Sequence, residues 1–163
     1  MSSHHKMFID GEWVEAESGN KVGVVNPATE EVVEEVPYGG AADALKAVRA
    51  AERAFPEWAR RTAYERAEVL KRTAGLMRER AQEIARLLTM EEGKPVAESV
   101  AEVNNGADQF EWYAEEIKRG GGEIIPGKVP GKRYLTLRAP VGVVGAVAPW
   151  NFPILLLARK LAP

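Results

Sequence analysis

From Ala139 to Ala158 the chain runs for 20 residues without a charged side chain, and this stretch restricts its folding more than any other. A helix of that length could cross a bilayer. The run is broken, however, by Pro149-Trp150-Asn151-Phe152-Pro153 at its centre and by Gly142 and Gly145 before it. Those residues would leave backbone polar groups unsatisfied in lipid, so the membrane reading is set aside. What remains is strand, tight loop, helix. Val141 to Ala148 is a near-continuous apolar run of strand length, expected where both faces of a parallel strand are covered. Pro153 suits the first turn of a helix continuing from Ile154 to Leu161. That order is the grammar of an α/β nucleotide-binding unit.

The middle of the chain reads as helical. Leu45, Val48, Ala51 and Phe55 recur at steps of three and four after Asp43, an N-cap candidate, and Pro56 should end that helix. Thr62 can cap a second helix. Its stripe is Tyr64, Ala67, Leu70, Ala74 and Met77, continued through Ala81, Ile84 and Leu88 to a stop at Gly93. After Pro95, the residues Val96, Val100, Val103, Ala107, Phe110, Ala114 and Ile117 keep an unbroken heptad. Three heptads made largely of alanine and valine favour packing against a sheet over a coiled coil.

The ends read as strands and turns. Asp10-Gly11 between Met7-Phe8-Ile9 and Glu12-Trp13-Val14 suits a tight hairpin, because both residues tolerate positive φ. Asn26-Pro27-Ala28-Thr29 separates a second strand pair, Val22 to Val25 and Val32 to Val36. Between Gly120 and Pro163 lie seven of the 15 glycines and six of the 10 prolines. There the Gly120-Gly121-Gly122, Pro126-Gly127 and Pro130-Gly131 clusters frame Tyr134 to Leu137 as part of a projecting hairpin or arm.

Composition narrows the partners. With 45% hydrophobic and 28% charged residues in 163, the chain is an ordinary globular sequence, and a chain of this length can bury about two thirds of its unfolded surface. A net charge of −2 makes no electrostatic case for nucleic acid or an anionic membrane. The charge is uneven: residues 1–35 carry eight acids and two bases, whereas residues 118–163 carry one acid and eight bases. The absence of cysteine excludes disulfides, thiolate metal sites and a cysteine nucleophile within these residues. His4 and His5 read as a frayed terminus, since zinc needs three or four converging donors, and no metal is expected. Without a secretory leader pattern, a cytoplasmic address is the default.

Two features could carry chemistry. Gly142-Val143-Val144-Gly145 falls short of a dinucleotide fingerprint and reads first as a close backbone approach. Asn151 is held between Trp150 and Phe152 with a proline on each side. Its NH2 could donate to a developing oxyanion, and the carboxyl end of a parallel strand is where open α/β sheets bind ligands. On spacing alone, a turn asparagine and a catalytic one fit equally well.

Pro140-Val141-Gly142-Val143-Val144-Gly145, Pro149-Trp150-Asn151-Phe152-Pro153 and Arg159-Lys160-Leu161-Ala162-Pro163 together resemble the NAD(P)-dependent aldehyde dehydrogenases. Asn26-Pro27-Ala28-Thr29-Glu30, Glu65-Arg66 and Glu92-Gly93-Lys94-Pro95 extend the resemblance over nearly the whole chain. Glu123-Ile124-Ile125 and Ala158-Arg159-Lys160 are most similar to the lactaldehyde and glycolaldehyde members, with succinate-semialdehyde dehydrogenases close behind. The resemblance implies an α/β fold: the N-terminal part of the aldehyde dehydrogenase fold, with an incomplete Rossmann-like cofactor domain, hairpins, helices and an oligomerisation arm. Residues 1–119 would begin the cofactor domain, residues 120–139 would form the arm, and residues 140–163 would supply the first strand, loop and helix of its sheet. It further implies a small aldehyde substrate, NAD or NADP as cofactor, and a homodimer or homotetramer.

The family's oxyanion-stabilising asparagine carries over to Asn151, and Ala148, Pro149, Trp150 and Asn151 would border the nicotinamide ribose. Such a donor contributes roughly 3–4 kcal/mol to the transition state. The implied reaction is thiolate attack on the aldehyde, hydride transfer to the nicotinamide and hydrolysis of a thioester. The family's cysteine nucleophile, its glutamate base and its adenine-ribose lysine have no counterpart up to Pro163. These residues alone are therefore expected to be inactive, with Val141 to Ala148 left as an exposed apolar edge. The alternative expectation is a non-catalytic assembly module that docks on full-length subunits.

Overall fold

A computed structural model describes residues 6–163; His4 and His5 lie outside the described residues. The order is two hairpins, four helices, a third hairpin, an irregular segment and a last helix. Strands β1 (Met7–Ile9) and β2 (Glu12–Val14) pair antiparallel. Their Asp10-Gly11 turn has φ of 55° and 83°, the doubly positive combination that matches the twist of the flanking strands. Strands β3 (Lys21–Val25) and β4 (Val32–Pro37) form the second hairpin. Its turn is closed where Asn26 Oδ1 accepts from the Ala28 amide at 2.9 Å.

Helix α1 (Ala41–Arg60) corrects two expectations. Its N-cap is Gly40, and Asp43 stands three residues in. From there the buried carboxylate accepts from the Gly40 amide at 3.0 Å and the Glu17 amide at 3.1 Å, tying the hairpin region to the start of the helix. Those amides hold the Asp43 carboxyl below its usual value, against a smaller opposing effect of burial. Pro56 lies inside the helix; a missing N–H removes a single ladder bond, and the chain recovers helical geometry through Arg60. The side chains of Leu45 and Val48 face solvent, while Asp43 and Ala50 are buried.

Thr62 caps α2 (Ala63–Glu79), as the sequence predicts, and does so through a reciprocal pair of bonds with Glu65. The long stripe is not one helix, however. Arg80, at φ −99° and ψ 14°, separates α2 from α3 (Ala81–Glu92). No glycine or proline marks that break; it allows both helices to lie on α4 (Val96–Glu116). Gly93 ends α3 in the left-handed conformation, φ 89°.

Helix α4 is the axis of the core. It packs on α2, α3 and α5 (Pro153–Leu161), so its apolar face meets helices and not the sheet expected from its heptad. Its buried residues are Ser99, Glu102, Val103, Gly106, Ala107 and Ala114. Ala67 and Ala74 on α2, Ala85 on α3 and Ala158 on α5 are buried as well, and such small side chains let packed helix axes approach closely. Gly106 marks the tightest approach: a β-carbon there would lie 3.1 Å from both Ile154 Cγ2 and Met77 Cε. Arg78 on α2 pairs with Asp108 at 2.7 Å and Glu111 at 2.5 Å, an exposed link that sets register more than stability.

A single 3₁₀ turn (Ile117–Arg119) follows α4. Strands β5 (Ile124–Pro126) and β6 (Arg133–Leu135) then make the third hairpin, extended where the Thr136 amide donates to the Glu123 carbonyl at 2.9 Å. Val141 to Ala148 differs from the expected strand. All three sheets among the described residues are two-stranded and antiparallel, so no neighbour is available to satisfy a parallel strand's backbone groups. The segment is irregular, and its apolar side chains lie open: Val141 is 92% exposed, Val144 65% and Val147 83%. Among the described residues no helix is long and apolar enough to cross a membrane.

Candidate active-site loop

The segment from Ala148 to Pro153 turns the chain from the irregular run into α5. Helix entry leaves its first amides without partners inside the helix, and here those that follow Phe152 are accounted for. Pro153 has no N–H. The Ile154 and Leu155 amides donate to Glu102 Oε1 at 2.9 and 3.3 Å, and the Leu156 amide donates to the Phe152 carbonyl at 2.9 Å. Glu102 is 2% exposed, so a carboxylate from the middle of α4 serves as the cap of α5, where the positive end of the helix dipole favours an anion.

The second oxygen of that carboxylate, Oε2, accepts from Lys94 Nζ. Lys94 stands just past the left-handed turn at Gly93, with its side chain only 9% exposed. Its ammonium also pairs with Glu92 at 3.0 Å, donates to the Asn151 carbonyl oxygen at 2.9 Å, and lies 4.3 Å from the centre of the Phe152 ring. Burial pushes the Lys94 ammonium toward a lower pKa, but its bonds to Glu102 and Glu92 outweigh this and leave it above the ordinary 10.5. Lys94 is a permanent cation at neutral pH.

These contacts immobilise the loop's backbone from inside while its outer face stays open. Trp150 is 79% exposed, Pro149 and Asn151 are exposed and Ala148 is half-buried. The Asn151 carboxamide makes no hydrogen bond with a described residue, so its NH2 is available to an incoming oxygen. The four residues named from the sequence thus stand together on one short loop. The sequence signals Glu102 only as a carboxylate next to Val103 on the apolar stripe of α4, and Lys94 only as part of Glu92-Gly93-Lys94-Pro95. Among the described residues no group of three or more His, Cys, Asp or Glu side chains could hold a metal ion.

Residues 13–163 match the pattern described as the aldehyde dehydrogenase family. The chain is 49% identical to the 3-sulfolactaldehyde dehydrogenase of Pseudomonas putida over 96% of its own length and 32% of the relative's. It is 45% identical to the lactaldehyde dehydrogenase of Escherichia coli over 98% of its length and 33% of the relative's. An NADP-dependent enzyme of E. coli of known structure superposes with a TM-score of 0.93 at 42% identity, covering 97% of this chain and 33% of that one. A betaine aldehyde dehydrogenase of Staphylococcus aureus, solved with NAD+, superposes with a TM-score of 0.90 at 35% identity, covering 97% and 33% of the two chains. The chain therefore spans about a third of the length of the relatives it matches, and it belongs to the aldehyde dehydrogenase family.

Proposed function

We propose that these residues form the N-terminal third of an NAD(P)-dependent dehydrogenase that oxidises a small aldehyde to a carboxylic acid, with Asn151 as its oxyanion donor. The observation that carries this reading is the immobilised loop with an unengaged carboxamide. As a nucleophile adds to the aldehyde carbon, the carbonyl oxygen gains negative charge, and an N–H already aimed at it needs no reorganisation. The Lys94 and Glu102 contacts lie on the buried side of the loop and leave that N–H free.

The loop also suits a nicotinamide cofactor. Its surface at Pro149, Trp150 and Asn151 is exposed and uncharged, and the carboxylate that caps α5 beneath it, Glu102, is buried and paired. Ala148, Pro149, Trp150 and Asn151 would border the nicotinamide ribose of NAD or NADP, which when bound accepts the hydride leaving the aldehyde carbon. To the same proposal belong a first part of the cofactor domain at 1–119, an oligomerisation arm at 120–139 that joins subunits into dimers or tetramers, a segment at 140–163 whose first residues become a strand of the cofactor sheet once strands stand beside them, followed by loop and helix, and a cytoplasmic location. Relatives named for 3-sulfolactaldehyde, lactaldehyde and glutarate semialdehyde support a short polar aldehyde as substrate.

The test is oxidation of those aldehydes by the full-length protein carrying residues 1–163, followed as NADH or NADPH absorbance. Asn151→Ala should lower kcat about 10²- to 10³-fold with little change in cofactor affinity. Unaltered kcat in that variant would remove Asn151 from the oxyanion role.

A further inference from the structure

We infer that Glu102 and Lys94 are the positioning residues of the Asn151 site, acting together as a buried clamp that fixes the backbone from which its carboxamide departs. The inference rests on the oxyanion role proposed for Asn151 and assigns to two residues of α4 and the α3–α4 turn a part in sustaining it. Three contacts converge. Glu102 Oε1 holds the Ile154 and Leu155 amides at 2.9 and 3.3 Å, fixing where α5 begins. Glu102 Oε2 holds the Lys94 ammonium. That ammonium holds the Asn151 carbonyl at 2.9 Å and sits 4.3 Å from the Phe152 ring centre.

The peptide joining Asn151 to Phe152 is thereby gripped at its oxygen, and the chain two residues later is gripped at its amides. Little freedom remains for ψ of Asn151, so the side chain departs from the loop in one direction. A donor must sit within a few tenths of an ångström of a developing oxyanion to stabilise it fully. A flexible exposed loop does not supply that precision; a buried ion pair does. An ion pair with a side chain 9% exposed on one partner and 1% on the other is also a poor choice for stability alone, because desolvation offsets most of its attraction.

A brace that merely holds the fold together and one that aims Asn151 differ in a double-mutant cycle. The full-length protein is compared with Asn151→Ala, with the paired substitution Lys94→Met/Glu102→Gln, and with all three changes. Glutamine keeps an acceptor for the α5 amides and removes the charge facing Lys94; Glu92 also loses its ammonium partner, a cost that is present with and without Asn151 and therefore cancels in the cycle. We expect the paired substitution to lower kcat at least tenfold with the KM for NAD+ or NADP+ within about twofold, and to cost nothing further once Asn151 is alanine. Additive losses, or an unchanged kcat in the paired variant, would overturn the clamp. Should the paired variant fail to fold, Lys94→Arg takes its place in the same cycle, since it keeps the charge pair but moves the donor off the Asn151 carbonyl. If Asn151→Ala alone leaves kcat intact, the oxyanion role itself fails, which is a distinguishable result.

Discussion

The Lys94 ammonium donates to the carbonyl oxygen of Asn151 at 2.9 Å across 57 residues of sequence. Two motifs far apart in the chain therefore meet at one peptide group. Their meeting depends on α4, which carries Glu102 to the start of α5 and returns Lys94 to the same spot. The folded state binds the Lys94 proton more tightly than the unfolded chain does, so the pair's contribution is fully present below 10.5 and is lost as pH rises through the higher folded value. The difference in unfolding free energy between wild type and Lys94→Met/Glu102→Gln should stay level from neutral pH to about 9 and shrink above 10.5. Urea titrations at several pH values would check it, and a difference that grows with alkalinity would contradict it.

Gly106 sets the spacing between α4 and α5. Valine there would press on Ile154 and Met77, already 3.1 Å from an added β-carbon, and should destabilise the protein by about 1–3 kcal/mol. Alanine adds only that one carbon and gains up to about 1 kcal/mol of helix propensity, so Gly106→Ala should lie within about 1 kcal/mol of wild type. Denaturant unfolding of both variants measures this, and a valine variant as stable as the alanine one would show that α5 yields freely.

Gly93 answers two constraints at once. Its φ of 89° lies in the left-handed region, and a β-carbon would fall 2.6 Å from Pro27 Cγ in the β3–β4 turn. Gly93→Ala should cost about 2–4 kcal/mol from backbone strain and the clash combined, read as a shift of the urea midpoint. A cost under about 0.5 kcal/mol would mean that the hairpin moves away without penalty.

The exposed apolar side chains from Val141 to Val147, together with Trp150, form a surface that water does not favour. A polypeptide of residues 1–163 should bind a hydrophobic dye strongly. Val144→Lys with Val147→Lys should reduce the fluorescence and change stability by no more than about 0.5 kcal/mol, as for other surface substitutions. Undiminished dye binding would place the sticky surface elsewhere.

Local chemistry was legible wherever neighbours in sequence decide the outcome. Asp10-Gly11, the Thr62 cap, the stop at Gly93 and Pro153 at the start of α5 all follow from backbone dihedrals and short-range hydrogen bonds, and all four are found in the structure. The grouping of Ala148, Pro149, Trp150 and Asn151 was likewise contained in one pentapeptide and the residue before it. Periodicity alone could not decide which partner each stripe meets. Arg80 breaks a helix that no sequence signal interrupts, α4 meets helices where a sheet was expected, and Val141 to Ala148 forms no strand because a strand exists only with a partner beside it. Tertiary structure alone turned Glu102 from a charged residue on an apolar face into the cap of another helix, and Lys94 from part of a turn into a donor to Asn151. A buried charge persists only where distant groups converge to satisfy it, and such convergence belongs to the folded chain in three dimensions.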